Sequence, residues 1–111
     1  MSTLFNIAKS PFARERLTFD ATALPLTTAT FNPTGSVAKP ARGALLTVIS
    51  GALFYSAIPG VTPTNDATVA GIGIPVAANG QILLETFEQV QSFKAIRNGA
   101  TAAVVEVVYF R

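Results

Sequence analysis

The chain has 111 residues, of which half are apolar and only 13% are charged, and its formal net charge is +2, whereas roughly 25% of the residues of a typical globular protein are charged. It contains no Cys, His or Trp, which excludes disulfide bonds, thiolate metal sites and catalysis by a cysteine or histidine side chain. The length predicts a single domain, and the scarcity of charge is typical of a subunit that packs among other subunits.

The N-terminal residues predict an extended arm. Their apolar side chains are isolated, and Pro11 lies among them, so we interpret residues 1–15 as an arm that needs a surface to lie on. Residues 16–111 then form one β domain. The apolar arm residues that we expect to be buried at contacts between subunits are Leu4, Phe5, Ile7 and Phe12.

The first part of the domain has the pattern of short strands. Leu17 and Phe19 alternate with polar residues, which is the period of a half-buried strand. Pro25 cannot donate to a strand ladder, so the segment around it is confined to a sheet edge or a bulge. Residues 59–73 are dense in Gly, Pro, Thr and Asn, and they predict a long exposed loop with a functional role.

Three turn signals predict hairpins. Each lies between two apolar runs of strand length, and Asn-Gly pairs suit the two positive φ angles of a type I′ turn. The three signals are Ser50-Gly51, Asn79-Gly80 and Asn98-Gly99.

The last third of the chain predicts one helical turn and one buried strand. Thr86 and Gln89 have the spacing of a capping box, which indicates a short helical turn. Residues 103–110 are apolar at both odd and even positions, apart from Glu106, so they predict a central strand or one whose outer face a neighbouring subunit covers. Together these elements predict an all-β fold, an antiparallel β-sandwich or small jelly-roll-like barrel of about seven or eight strands.

The sequence predicts no catalytic, cofactor or metal site. Its six acidic residues stand at spacings that do not force any two together, and we interpret Glu85 and Glu88 as solvated. Glu106 either faces solvent or pairs with Arg97 across the predicted third hairpin, and the pair is the favoured interpretation. The aromatic residues Phe54, Tyr55, Tyr109 and Phe110 are expected in the core or at an interface, with a sugar-binding platform as the alternative.

The C-terminal part of the chain, from Leu45 to Arg111, contains in order the segments "LLTVIS", "IPGVTPT", "FKAIRNGAT" and "VEVVYFR". In these segments and their order it resembles a family of small virion structural proteins encoded by tailed double-stranded DNA bacteriophages. Pro59 stands where the family pattern has Asp, and Tyr55 and Lys94 stand where Arg is common. The first 40 residues show no such resemblance.

The resemblance implies a capsid decoration or cement protein, which binds and stabilises the shell of the major capsid protein and needs no active site. The implied partners are the major capsid protein and copies of the chain itself, as a trimer or another homo-oligomer.

The dispersed basic residues predict no nucleic-acid binding, and neither a secretory signal nor a membrane span is expected. The protein is then made in the bacterial cytoplasm, and it acts on the virion surface without a cofactor or small-molecule substrate. The alternatives are a neck, tail, baseplate or fibre-base protein and a carbohydrate-binding module for host attachment.

Overall fold

The computed structural model describes residues 10–33, 39–65 and 73–111. Within these residues the chain forms eight strands and two short helices. In chain order they are β1 (Pro11–Phe19), β2 (Leu24–Pro25), α1 (Thr28–Phe31), β3 (Gly43–Ser50), β4 (Leu53–Ser56), β5 (Ile74–Val76), β6 (Gln81–Leu84), α2 (Phe87–Ser92), β7 (Lys94–Arg97) and β8 (Ala103–Phe110).

The strands form two antiparallel four-stranded sheets. Sheet A has the order β1-β8-β3-β6, and sheet B has the order β2-β7-β4-β5. The first strand pairs with the eighth, the second with the seventh, the third with the sixth and the fourth with the fifth. A long hairpin that is wrapped into two sheets in this way has the strand order of a jelly roll. The prediction of an all-β sandwich of seven or eight strands is therefore confirmed.

The three predicted hairpins are wrong, because every one of these turns joins sheet A to sheet B. The pairs differ from a type I′ turn, which needs positive φ at both central residues: only Asn79 in the second pair and only Gly99 in the third have a positive φ. Their backbone groups also bond elsewhere. The N–H of Asn79 donates to the carbonyl of Val48, and the N–H of Asn98 donates to that of Ala52. These hydrogen bonds thus hold the second and third turns in place where the chain crosses between the two sheets.

Other predicted elements are confirmed. Pro25 lies in β2, an edge strand that pairs with β7. The side chain of Thr86 accepts a hydrogen bond from the N–H of Gln89 and caps α2. Strand β8 lies centrally between β1 and β3. Helix α1 was not predicted.

The core fills the space between the two sheets. The odd residues of β8 are fully buried, whereas the even ones are partly exposed on the other face of sheet A. Aromatic rings join the layers, since Phe93 packs edge-on against Phe19 with centroids 6.1 Å apart and stacks on Tyr55 at 5.6 Å. Phe31 of α1 packs against Phe87 of α2, which closes one end of the sandwich.

Residues 11–15 belong to β1 and not to a separate arm. Strand β1 pairs with β8 along its length, and Ser10 exchanges two backbone hydrogen bonds with Arg111. The predicted boundary at residue 15 is therefore wrong. Residues 1–9 lie outside the described residues.

Gly51 shows how tightly the turns pack at one end of the sandwich. Its φ is +75°, and a Cβ atom added to it would lie 2.5 Å from the carbonyl oxygen of Ala102, a backbone atom that cannot move away cheaply. Gly60 has a similar φ of +80°, but no described atom lies within 4 Å of its hypothetical Cβ.

Alanine substitutions at these two glycines distinguish the energetic cost of backbone strain from that of a steric clash. We expect G60A to lower the free energy of unfolding by about 1 kcal/mol, the cost of a left-handed alanine. We expect G51A to lower it at least about twice as much, because the same strain is joined by the clash with Ala102. Urea unfolding followed by far-UV circular dichroism measures both, and equal losses would contradict the packing of this turn.

Candidate interaction surface

The predicted interface residues are distributed over different surfaces. Leu4, Phe5 and Ile7 lie outside the described residues, and their burial at subunit contacts stays a prediction. Phe12 is half-buried in β1, with the guanidinium carbon of Arg111 4.4 Å from its ring centroid. A shallow hollow of about 280 Å³ lies beside it, next to Val108.

The four aromatic residues near the strand ends do not form a platform. Tyr109 is fully buried and contacts Phe31, so of the two predicted positions it occupies the core and not an interface. Phe110 follows it on the opposite face of sheet A. Tyr55 stacks on Phe93 inside the sandwich, while Phe54 lies beside it in sheet B and is partly exposed. This arrangement does not support a sugar-binding surface built from these rings.

The predicted ion pair between Arg97 and Glu106 is wrong. Because β7 and β8 lie in different sheets, their side chains do not face each other across a hairpin. Glu106 pairs with Arg16, its register neighbour on β1, with 3.0 Å between Arg16 Nε and Glu106 Oε1. Arg97 pairs instead with the carboxylate of Asp20, and its N–H donates to the carbonyl of the same residue. That double contact connects the end of β1 in sheet A to β7 in sheet B.

The long loop after β4 is anchored to the domain. Pro59 and Gly60 occupy the centre of a turn in which the N–H of Val61 donates to the carbonyl of Ile58, and proline followed by a glycine with positive φ is typical of a type II turn. Pro63 is fully buried. Asn65 donates to the carbonyl of Gly99 at 2.9 Å and accepts from its N–H at 3.3 Å. The described first half of the predicted exposed loop is therefore exposed at Pro59 and Gly60 but buried at Pro63.

An apolar groove lies where β5 and β6, the adjacent edge strands of the two sheets, leave the sandwich open. We call it the open-edge groove. Its volume is about 380 Å³. The lining comes from the end of β4, the loop after it, the start of β5, the end of β6 and α2, and includes Tyr55, Ser56, Ile58, Val61, Ile74, Leu83 and Gln89.

Large apolar side chains are exposed around this groove. Of the five such residues among the described parts of the chain, three line it: Ile58 is 63% exposed, Ile74 is 56% exposed and Leu83 is 46% exposed. They come from three separate segments, so the groove exists only in the folded domain. A cluster of this kind marks a surface for contact with another apolar group.

Two polar side chains of the groove accept hydrogen bonds within the domain. The hydroxyl of Ser56 accepts a hydrogen bond from the N–H of Ile58 at 3.2 Å. The side-chain carbonyl of Gln89 accepts one from the N–H of Glu85 at 2.7 Å. Small-molecule sites need a few polar groups that converge on the ligand, so the open-edge groove is better suited to apolar side chains.

The outer face of sheet A is a second partly apolar surface. Val104 and Val108 of β8 alternate with Glu106 there, and Leu45 and Ile49 of β3 continue the face. A polar row crosses its middle. In that row Arg16 contacts Glu106, and the side chain of Gln81 lies 3.4 Å from the hydroxyl of Thr47. Whether a neighbouring subunit covers this face stays a prediction.

A partly buried polar contact joins β1 to β8. The hydroxyl of Tyr109 donates to the carboxylate of Glu15, which also accepts from the N–H of Thr27 at 3.4 Å. Burial raises the pKa of Tyr109 well above its usual range, and the hydrogen bond to Glu15 and its negative charge raise it further. This phenol is therefore a structural donor that holds the first strand and the segment before α1 against the core.

The raised pKa of Tyr109 predicts a loss of stability in alkali. An unfolded tyrosine ionises near pH 10, whereas the folded protein keeps the Tyr109 proton, so the free energy of unfolding should fall above about pH 10 by up to about 1.4 kcal/mol per pH unit. Y109F should lack this loss, at a cost of about 1 kcal/mol at neutral pH for the missing hydrogen bond. Urea unfolding at several pH values measures both effects.

The matched control for this prediction is Y55F, which replaces the other tyrosine of the chain. It retains the ring on Phe93 and leaves Tyr109 as the single phenol. Its tyrosinate absorbance should rise together with the loss of the β-sheet circular dichroism signal. If that absorbance rises while the sheet is intact, Tyr109 ionises in the folded protein, which would contradict its raised pKa.

The described residues show no arrangement of metal-binding side chains, since no three Asp or Glu carboxylates within them could hold an ion together. None of the helices in the described ranges is long and apolar enough to cross a membrane.

No protein-family model matches the chain, and neither the curated proteins nor the solved structures include a significant match.

Proposed function

We propose that this protein is a non-enzymatic structural component of a tailed bacteriophage particle, a decoration or cement protein that binds the shell of major capsid proteins. The observation that carries the proposal is the open-edge groove, where three large apolar side chains are exposed in a chain with only 13% charged residues. A subunit that is covered by neighbours in an assembly can keep such a surface, whereas a solitary one would expose it to water.

The positions of the resembling segments support this proposal. "LLTVIS" lies in β3 and "VEVVYFR" lies in β8, and these two strands pair at the centre of sheet A. The loop that begins with "IPGVTPT" and the turn of "FKAIRNGAT" contact each other through Asn65 and Gly99. The resemblance thus covers neighbouring parts of one folded unit, including its central strand pair.

The fold is compatible with a structural role and with the carbohydrate alternative. Jelly rolls form viral capsid domains and also lectin domains, so the fold does not decide between them. The aromatic residues do not converge on a surface, and the described half of the loop after β4 is tied to the domain through Pro63 and Asn65. These observations favour the structural role.

The copy number in purified particles tests the proposal. A decoration protein should be present on the order of hundreds of copies per particle, whereas a neck, baseplate or fibre-base protein should be present at about a dozen or fewer, because each position follows the symmetry of its surroundings. Quantitative mass spectrometry against the major capsid protein gives the ratio. A low copy number would indicate a neck or tail protein instead of a decoration protein, and the absence of the protein from particles would overturn the proposal.

The N-terminal segment, residues 1–9, should contribute to binding the shell. An extended segment can add a strand to the edge of a neighbouring sheet, where main-chain hydrogen bonds supply affinity. Removal of residues 1–9 should leave the domain folded, because β1 begins at Pro11. We expect the truncated protein to lose most of its co-sedimentation with purified shells that lack the native protein.

A full-length variant provides the control for this truncation. Replacement of Leu4, Phe5 and Ile7 by serine keeps the chain length and should weaken binding to a similar degree. Circular dichroism verifies the fold of both proteins. Unchanged co-sedimentation of the truncated protein would show that the segment has no part in shell binding.

A further inference from the structure

The open-edge groove has the features of a site that receives an extended apolar peptide. It lies between β5 and β6, which are edge strands among the described residues, and edge strands carry backbone groups that another chain can pair with. Protected edges usually have charged residues or proline. Strand β6 has the sequence QILL, with neither, and Leu83 of this strand is exposed beside the groove.

The N-terminal segment has the matching pattern. Leu4, Phe5 and Ile7 are its large apolar residues, and Phe5 and Ile7 are two residues apart, which places them on the same side of an extended chain. The segment directly precedes Ser10, which pairs with Arg111 next to β1. The register places Pro11, Phe110, Gly43 and Leu84 near the same end of sheet A, so the segment leaves the domain at the end that contains the groove.

The distance across sheet A decides which copy of the chain can fill the groove. Strands β1 and β6 are the two opposite edges of this sheet, three strand spacings or about 14 Å apart. Ile7 is three residues from Ser10, so it reaches at most about 11 Å. Phe5 is five residues from Ser10 and could span this distance. The segment of the same chain therefore cannot place Phe5 and Ile7 in the groove together, whereas the segment of a second copy is not limited in this way.

We propose that the open-edge groove receives residues 1–9 of a second copy of this chain, with Phe5 and Ile7 packed against the exposed side chains of Ile58, Ile74 and Leu83. This inference rests on the proposed function, since it names the contact through which the copies assemble on the particle. Ser56 and Gln89 of the groove accept hydrogen bonds within the domain, and three large apolar side chains line it, so the affinity comes mainly from apolar burial and from strand pairing at the edge of β6.

Cross-linking between copies tests the inference, because the native chain has no cysteine. One preparation carries Asn6→Cys in the N-terminal segment, and a second, tagged preparation carries Leu83→Cys in the groove. The matched control is Ile49→Cys, because Ile49 is 42% exposed and Leu83 is 46% exposed, but Ile49 lies in β3 and not in the groove. After mixing and treatment with a short bismaleimide, we expect several-fold more covalent dimer with Leu83→Cys than with Ile49→Cys.

A peptide of residues 1–9 should suppress the Leu83→Cys product, and the same peptide with serine at positions 5 and 7 should not. Equal yields with the two cysteine positions would overturn the site. A chain that carries both Asn6→Cys and Leu83→Cys and gives only an intrachain product would overturn the assignment to a second copy. The experiment needs no particles, so its failure is distinguishable from a failure of the proposed function, which the copy number tests.

Discussion

The pairing of β8 with both β1 and β3 is the interaction on which the rest of this structure depends. It places the last strand at the centre of sheet A and brings together residues about 90 positions apart in sequence. The buried face of β8 supplies Val105, Val107 and Tyr109 to the core. Once β1 and β8 pair as the outermost pair of the long hairpin, the inner pairs β2–β7, β3–β6 and β4–β5 follow the strand order of a jelly roll.

This strand order gives the sandwich two unlike flanks. On one flank the edge strand β1 carries Arg14, Glu15 and Arg16, and charged residues protect a sheet edge against unwanted pairing. On the other flank β6 has no charged residue, and the open-edge groove separates it from β5. The two edge strands of sheet A therefore differ, because β1 carries charged residues and β6 does not.

Much of the fold could be predicted from local patterns. The alternation around Leu17, the apolar sequence of β8 and the cap at Thr86 depend on residues close together in the chain, and the structure confirms all three. The partners of the turns could not be predicted in the same way. Whether a short turn closes a hairpin or crosses to the second sheet depends on where its backbone groups bond, as Asn79 does with Val48.

The candidate surface was harder to predict for the same reason. Ile58, Ile74 and Leu83 come from three segments that meet only when β5 and β6 become adjacent edges. The one local signal was Leu83, because in the alternation of β6 it occupies a solvent position that a polar residue normally takes. The partners in the ion pairs also depend on which sheet each strand belongs to. Glu106 therefore contacts Arg16 on the neighbouring strand and not Arg97 on the other side of the turn.

The positions of the segment and the groove constrain the symmetry of any assembly that joins them. The N-terminal segment precedes Ser10, which lies beside β1, and the groove lies beyond β6, at the opposite edge of sheet A. A contact between two different surfaces of identical subunits is head-to-tail, and it produces a ring if the rotation closes and a filament if it does not. A subunit that donates at one edge and accepts at the other therefore forms either a ring or a filament, and only a closed ring fills every groove.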